Sequence, residues 1–197
     1  MKNIIILVGQ CATGKTSLEK ELYNRFLIKR AISFTTRPRR VNERDGDDYF
    51  YISKETFLKL KNDGFFYETT SYSVNGDIWY YGLGKEKSLI KDKYCVVTIN
   101  PEGLNAILKY PEIKNNSIVF YLNSSIATRM YRYLKRENFD VQAYINMLQR
   151  FERDKKDFEN DLFLKDVEYI KIQNEMNDSL EELSAQIMRI MIEENNN

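Results

Sequence analysis

Short apolar runs and longer amphipathic stretches alternate along this chain. Ile4 to Val8 is an unbroken apolar run that stops at Gly9. It suits a strand buried on both faces and is too short for an export signal or a membrane span, which needs roughly 20 apolar residues. Lys15 to Leu27 follows with Leu18, Leu22 and Phe26 spaced four apart, the period of a helix. Tyr94 to Ile99, Ser117 to Leu122 and Tyr169 to Ile172 repeat the strand pattern. Pro101 suits the first turn of a helix reaching Tyr110, and Asp178 suits the N-cap of a last helix reaching Glu193. The Glu-Glu-Asn-Asn-Asn ending is expected to be disordered. Strands alternating with helices predict an α/β fold whose parallel sheet is flanked by helices on both faces.

Two regions break the alternation. Residues 33–90 hold most of the glycines and many tyrosines. There Asp48 to Ser53 and Phe65 to Ser73 read as strands, and Asn75-Gly76 is a turn signal leading into a further strand from Asp77 to Gly82. This predicts a small mixed α/β insert. Residues 125–165 are charged and helical in pattern, with little continuous apolar stripe, which predicts a mobile, solvent-facing helical pair. The core is then 1–32, 91–124 and 166–197.

Composition narrows the chemistry. Of 197 residues, 43% are hydrophobic and 30% charged, the balance of one soluble domain. The net charge of +1 gives no basic field for nucleic acid or membrane. Two distant cysteines, Cys11 and Cys95, suit a reducing, cytoplasmic setting. There is no histidine, which excludes histidine acid–base chemistry, Ser-His-Asp triads and the common zinc sites.

Gly9-Gln10-Cys11-Ala12-Thr13-Gly14-Lys15-Thr16 matches G-x-x-x-x-G-K-[ST] and lies between a predicted strand and a predicted helix. In such a phosphate loop the backbone N–H groups of Gly9, Ala12, Thr13, Gly14, Lys15, Thr16 and Ser17 are placed to face phosphate oxygens at a helix N-terminus. Lys15 is expected to reach the β- and γ-phosphates of ATP, and the Thr16 hydroxyl to bind Mg²⁺. Cys11 reads as incidental, because the backbone does the binding.

The next motifs are Ser33-Phe34-Thr35-Thr36-Arg37-Pro38-Arg39-Arg40 and Glu43-Arg44-Asp45-Gly46-Asp47-Asp48-Tyr49-Phe50, followed by Phe66-Tyr67-Glu68 and Tyr80-Tyr81-Gly82. Together with the phosphate loop they resemble the guanylate kinase family, from Ile4 to Asn174. The resemblance implies a P-loop kinase that moves a phosphoryl group from ATP to GMP or dGMP, acting as a monomer or weak homodimer. It implies that Arg37 and Arg40 grip the acceptor phosphate with the Tyr49 and Tyr81 hydroxyls, beside Gly82. It implies that Glu68 and Ser33 read the base. The chemistry agrees: guanidinium forks suit phosphate, and a carboxylate accepts from guanine N1–H and N2–H₂ but is repelled by adenine N1. Arg132 and Arg136, one helical turn apart, match the family's two lid arginines. Arg150 matches a third, with Arg153 as its rival.

Three departures mark the chain. The family's Asp-x-Asp is Thr98-Ile99-Asn100 here, leaving Asn100 to offer an uncharged carbonyl to a guanine amine. Leu83 stands where a Ser or Thr follows the Tyr-Tyr-Gly. The stretch between Glu68 and Tyr80 is longer than the family pattern. The departures leave open a related kinase with another nucleotide or a sugar phosphate as acceptor. A catalytically silent binding module is the third reading, against which Gly14, Lys15 and Thr16 are intact.

Overall fold

A computed structural model describes residues 1–41, 43–74, 76–85, 94–159 and 164–196. The chain runs β1 (Ile4–Gly9), α1 (Lys15–Phe26), β2 (Lys29–Arg30), β3 (Phe34–Thr35), β4 (Phe50–Tyr51), α2 (Lys54–Asn62), β5 (Phe66–Val74) and β6 (Asp77–Gly84). It continues with β7 (Cys95–Ile99), α3 (Pro101–Ile107), α4 (Pro111–Lys114), β8 (Ser117–Asn123), α5 (Ile126–Arg136), α6 (Val141–Asp157), β9 (Tyr169–Gln173) and α7 (Leu180–Asn196).

Five parallel strands form the main sheet in the order β2-β7-β1-β8-β9. Its central strand carries Ile4, Ile6 and Val8 on one face and Ile5 and Leu7 on the other, all fully buried. The first set packs with Val97, Leu104, Ile107 and Val119, and the second with Leu18, Leu22, Phe120, Ile187 and Met191. Alternate residues therefore enter opposite cores, which is why the strand reads as a continuous apolar run. Each such side chain contributes about 1.5–3 kcal/mol by leaving water.

The second sheet has the order β4-β3-β6-β5. Its β5–β6 hairpin sets Val74 opposite Asp77, with Gly76 at φ +83°, a value glycine adopts without strain. Asn75, the other half of the predicted turn, lies outside the described residues. One face is apolar: Phe34, Phe50, Phe66 and Tyr80 gather with Phe57 of α2, with ring centroids 4.6 Å apart between Phe57 and Phe66. The cross-strand pairs Thr35 with Tyr81, Thr70 with Tyr81 and Glu68 with Leu83 belong to the opposite face.

Four local expectations change. The helix from Pro101 stops at Ile107, because Pro111 forces Tyr110 into extended backbone (ψ 111°) and starts a new turn. The strand expected over Asp48 to Ser53 shrinks to Phe50–Tyr51: the Asp48 carboxylate accepts the Arg44 N–H, and Ser53 caps α2 by accepting the Thr56 N–H. Ser179, not Asp178, caps α7, since its Oγ accepts the Glu182 N–H. The ending is helical to Asn196, because Asn195 Oδ1 accepts the Lys2 N–H at 2.7 Å and its Nδ2 donates to Lys2 O at 2.7 Å.

Candidate active site

The phosphate loop joins the end of β1 to α1. Gly9 cannot carry a side chain, as a Cβ would stand 2.4 Å from Leu122 O. Gly14 has φ +95°, and a Cβ there would meet Asn174 Nδ2 at 2.4 Å. That amide donates to Thr13 O at 2.8 Å, and Thr13 Oγ1 donates to Gln10 O at 2.9 Å. Ala12 adopts φ +62°. Lys15 Nζ donates to Gly9 O at 2.6 Å and Gln10 O at 2.8 Å, curling over the loop. Burial pushes its ammonium down to about 8, against the pull of Cys11 and Asp154. Thr16 and Ser17 open α1 on the exposed side of the loop. A single hydroxyl suits a cation that arrives with nucleotide phosphates, since Mg²⁺ takes few protein oxygens beside phosphate and water. Among the described residues no cluster of three acidic, cysteine or histidine side chains could hold a metal by itself.

The polar face of the second sheet carries the acceptor candidates. Arg37 is buried, and its Nη2 donates to both Glu43 oxygens at 2.8 and 2.9 Å while its Nη1 donates to Pro38 O at 2.8 Å. Its guanidinium lies over Tyr49 and Tyr51, 5.5 and 5.8 Å from the ring centroids. Burial works against its charge, but the Glu43 bonds more than offset this and raise its pKa. Burial would raise Glu43 too; Arg37, the Arg40 N–H and the Tyr51 hydroxyl hold it down to about 2. Arg40 stands half-exposed, 3.7 Å from Glu43. Tyr49 and Tyr81 meet edge to face at 5.9 Å, and burial pushes Tyr49 up to about 12. Lys20 of α1 binds Asp48 at 2.8 Å, tying this face to the helix that opens at the phosphate loop.

Glu68 lies beside a bulge in β5, and burial lifts its carboxyl to about 7, with Glu102 adding to the rise. Ser33 precedes β3, and continuing the register sets it level with Leu83, the cross-strand partner of Glu68. Gly82 turns the other way: a Cβ would stand 2.8 Å from Phe66 Cδ1, so its missing side chain serves the apolar face rather than the acceptor.

Helices α5 and α6 lie on the third side. Tyr133, Leu134, Ala143 and Met147 bind α5 to α6, with Cys11 and Ala12 of the phosphate loop packed against them. Arg132 donates to Asn174 O (3.0 Å), Asn174 Oδ1 (3.1 Å) and Glu175 O (2.7 Å), directly beside the loop. Arg136 lies a turn away on the surface, bound to Glu137 at 3.0 Å. Arg150 and Arg153 both sit over the Tyr72 ring, at 5.4 and 4.7 Å.

A sequence profile described as guanylate kinase matches residues 1–191. The chain belongs to the guanylate kinase family. Guanylate kinase of Thermotoga maritima is 30% identical over 182 residues, 90% of this chain and 82% of that one. Guanylate kinase of Mesomycoplasma hyopneumoniae is 31% identical across 98% of this chain and 96% of its own length. The crystal structure of guanylate kinase from Anaplasma phagocytophilum shares the fold, with a TM-score of 0.60 and 21% identity over 98% of this chain and 86% of that one.

The departures from the guanylate kinase pattern now have physical accounts. Asn100 Oδ1 caps α3 by accepting the Gly103 N–H at 2.7 Å, and its Nδ2 donates to the Tyr72 hydroxyl at 2.7 Å. The cap takes one of the two lone pairs of its carbonyl oxygen, and the amide nitrogen is held by Tyr72. Thr98 donates its hydroxyl to Glu19, a buried carboxylate on α1 that also pairs with Arg30. Leu83 is a core residue. The lengthened stretch after Glu68 becomes the long β5–β6 hairpin, whose Tyr72 reaches Asn100 and the lid arginines. Three residues to which the sequence assigns no role pack around these groups: Glu43 holds Arg37, and Arg129 and Asp154 lie behind the phosphate loop.

Proposed function

We propose that this guanylate kinase relative transfers the γ-phosphoryl group of ATP to GMP or dGMP, giving ADP and GDP or dGDP. The observation that carries the reading is the shared face of the second sheet, where Arg37, Tyr49 and Tyr81 gather at one end and the half-buried Glu68 lies at the other. An acid for the base and a cation for the phosphate are what a guanine nucleotide needs.

In this reading an oxygen of the acceptor phosphate attacks the γ-phosphorus, and the bond to the β–γ bridging oxygen breaks as ADP leaves. The acceptor is largely dianionic at neutral pH, its second pKa being about 6, so no side chain need remove a proton. Lys15 leaves its carbonyl partners for the β- and γ-phosphates, and Thr16 holds the Mg²⁺ brought with ATP. That ion neutralises charge on the phosphates. Arg37 and Arg40 hold the acceptor phosphate with the hydroxyls of Tyr49 and Tyr81. Glu68 and Ser33 read guanine. Arg132, Arg136 and Arg150 meet the transferring group as 125–165 closes over it and excludes water, while 33–90 carries the acceptor and the remaining segments form the core. The enzyme works in the cytoplasm as a monomer or weak homodimer, without nucleic acid.

Calorimetric titration with GMP and AMP tests the acceptor site separately from turnover. GMP is expected to bind and AMP not to bind detectably. Equal binding would refute the assignment of Glu68 to the base.

A further inference from the structure

Asp154 lies on α6 with no exposed surface, yet it is not packed among apolar groups alone. Its Oδ2 accepts the Cys11 backbone N–H at 2.5 Å and Arg129 Nη2 at 2.7 Å. Arg129 in turn donates Nε to Cys11 O at 2.8 Å and Nη1 to Gln10 Oε1 at 2.7 Å. The guanidinium is stacked over Phe151, 4.3 Å from the ring centroid. Both backbone polar groups of Cys11, inside the phosphate loop, are thus held by side chains of the two lid helices.

The other carboxylate oxygen points elsewhere. Asp154 Oδ1 is buried without a hydrogen-bond partner among the described residues, and Arg150 Nε stands 3.4 Å from it, within ion-pair range. Arg150 is one helical turn before Asp154 and leans on Tyr72 of the acceptor hairpin. A buried ion pair is a poor device for stability alone, because desolvation offsets much of the attraction. A carboxylate with one oxygen on the loop backbone and the other toward the Arg150 cation is instead well suited to setting a distance between them.

We propose that Asp154 is a positioning residue of the transfer step: with Arg129 it fixes the Gln10–Cys11 segment of the phosphate loop, and through Oδ1 it aims Arg150 at the phosphates. The inference rests on the reading of Arg150 as a phosphate ligand given above. Asp154 itself touches no reacting atom; it acts by holding Arg150 and the loop in one geometry, which a loss of 1 Å in placement is enough to disturb.

The test is steady-state kinetics of the full chain with ATP, Mg²⁺ and GMP for Asp154→Asn, Arg150→Ala and the double variant, with thermal melting beside them. Asp154→Asn is expected to lower kcat about tenfold or more while the KM for GMP stays within about twofold, since the acceptor site is untouched. Arg150→Ala is expected to lower kcat as well, and the double variant to be no slower than the slower single variant, because both changes remove one device. Losses that multiply, or a wild-type kcat in Asp154→Asn, overturn the proposal. If Asp154→Asn does not fold, Asp154→Glu, which displaces the carboxylate by one methylene, carries the same expectation and the same refutation. A wild-type kcat in Arg150→Ala defeats the role of Arg150 and this inference together, leaving GMP phosphorylation intact. Absence of GMP turnover by the wild-type chain defeats the functional reading itself.

Discussion

Arg37 and Glu43 form a two-point pair, with Arg37 Nη2 donating to both carboxylate oxygens at 2.8 and 2.9 Å. The pair holds the guanidinium near two tyrosine rings before any acceptor arrives. Such preorganisation lowers the cost of binding. Glu43→Ala is therefore expected to raise the KM for GMP about tenfold, or about 1.4 kcal/mol, with kcat changed much less. Steady-state kinetics decide it; an unchanged KM would mean that Glu43 is a bystander. With its carboxyl held at about 2, Glu43 stays charged at every working pH and adds no pH dependence to GMP binding, while the stability it contributes is lost as pH falls from its unfolded value of 4.5 toward about 2.

Glu68 behaves in the opposite way. Burial raises its carboxyl from 4.5 to about 7, so near neutrality the site holds a mixture of acid and carboxylate. With Glu68 reading guanine as the carboxylate, as proposed, the KM for GMP is expected to fall as pH rises from 6 to 8, and in Glu68→Gln only the part due to the acceptor phosphate, whose second pKa is about 6, is expected to remain. The same shift has a stability consequence of opposite sense. Between 4.5 and about 7 the native protein binds the proton that the unfolded chain releases, so this group's contribution weakens as pH rises through that window. Thermal melting of wild type and Glu68→Gln from pH 5 to 8 reads the difference directly. A parallel pair of curves would contradict the buried carboxyl.

Among the described residues Lys15 Nζ donates to two carbonyls, both in the loop it belongs to. Lys15→Ala is expected to abolish transfer while leaving the melting temperature within a few degrees and GMP binding in place. Measurable turnover in this variant would remove Lys15 from the phosphate site.

Much of this architecture is legible in the sequence, for identifiable reasons. The phosphate loop is one contiguous motif between a strand and a helix, so neighbours in sequence are neighbours in space. The apolar run of β1 and the spacing of Leu18 and Leu22 report burial directly. What escaped the sequence reading is assembled from distant, ordinary-looking charges. Asp154 sits in a helix crowded with Arg150, Glu152, Arg153, Lys155 and Lys156, where a solvated face is the default reading. Its burial depends on the Cys11 N–H, 143 residues away. Arg129 is hidden for the same reason beside Arg132 and Arg136. The helix-cap role of Asn100 and its bond to Tyr72 are hidden because they depend on how α3 meets the hairpin.

The ending of the chain was misread for a related reason. Its asparagines have weak helix propensity, yet Asn195 pairs with both backbone groups of Lys2 and with Met191 O. Asn195→Ala is expected to cost about 1–2 kcal/mol, the scale of losing hydrogen bonds that leave partly buried backbone groups exposed to weaker partners. Urea unfolding measures it. A loss below about 0.3 kcal/mol would place this contact among the many that add nothing measurable.

Whether the acceptor is a guanine nucleotide is decided by ADP release with ATP, Mg²⁺ and each of GMP, dGMP, AMP, CMP, UMP and dTMP. Turnover is expected with GMP or dGMP alone. Faster turnover with any other monophosphate, or with none, would contradict it.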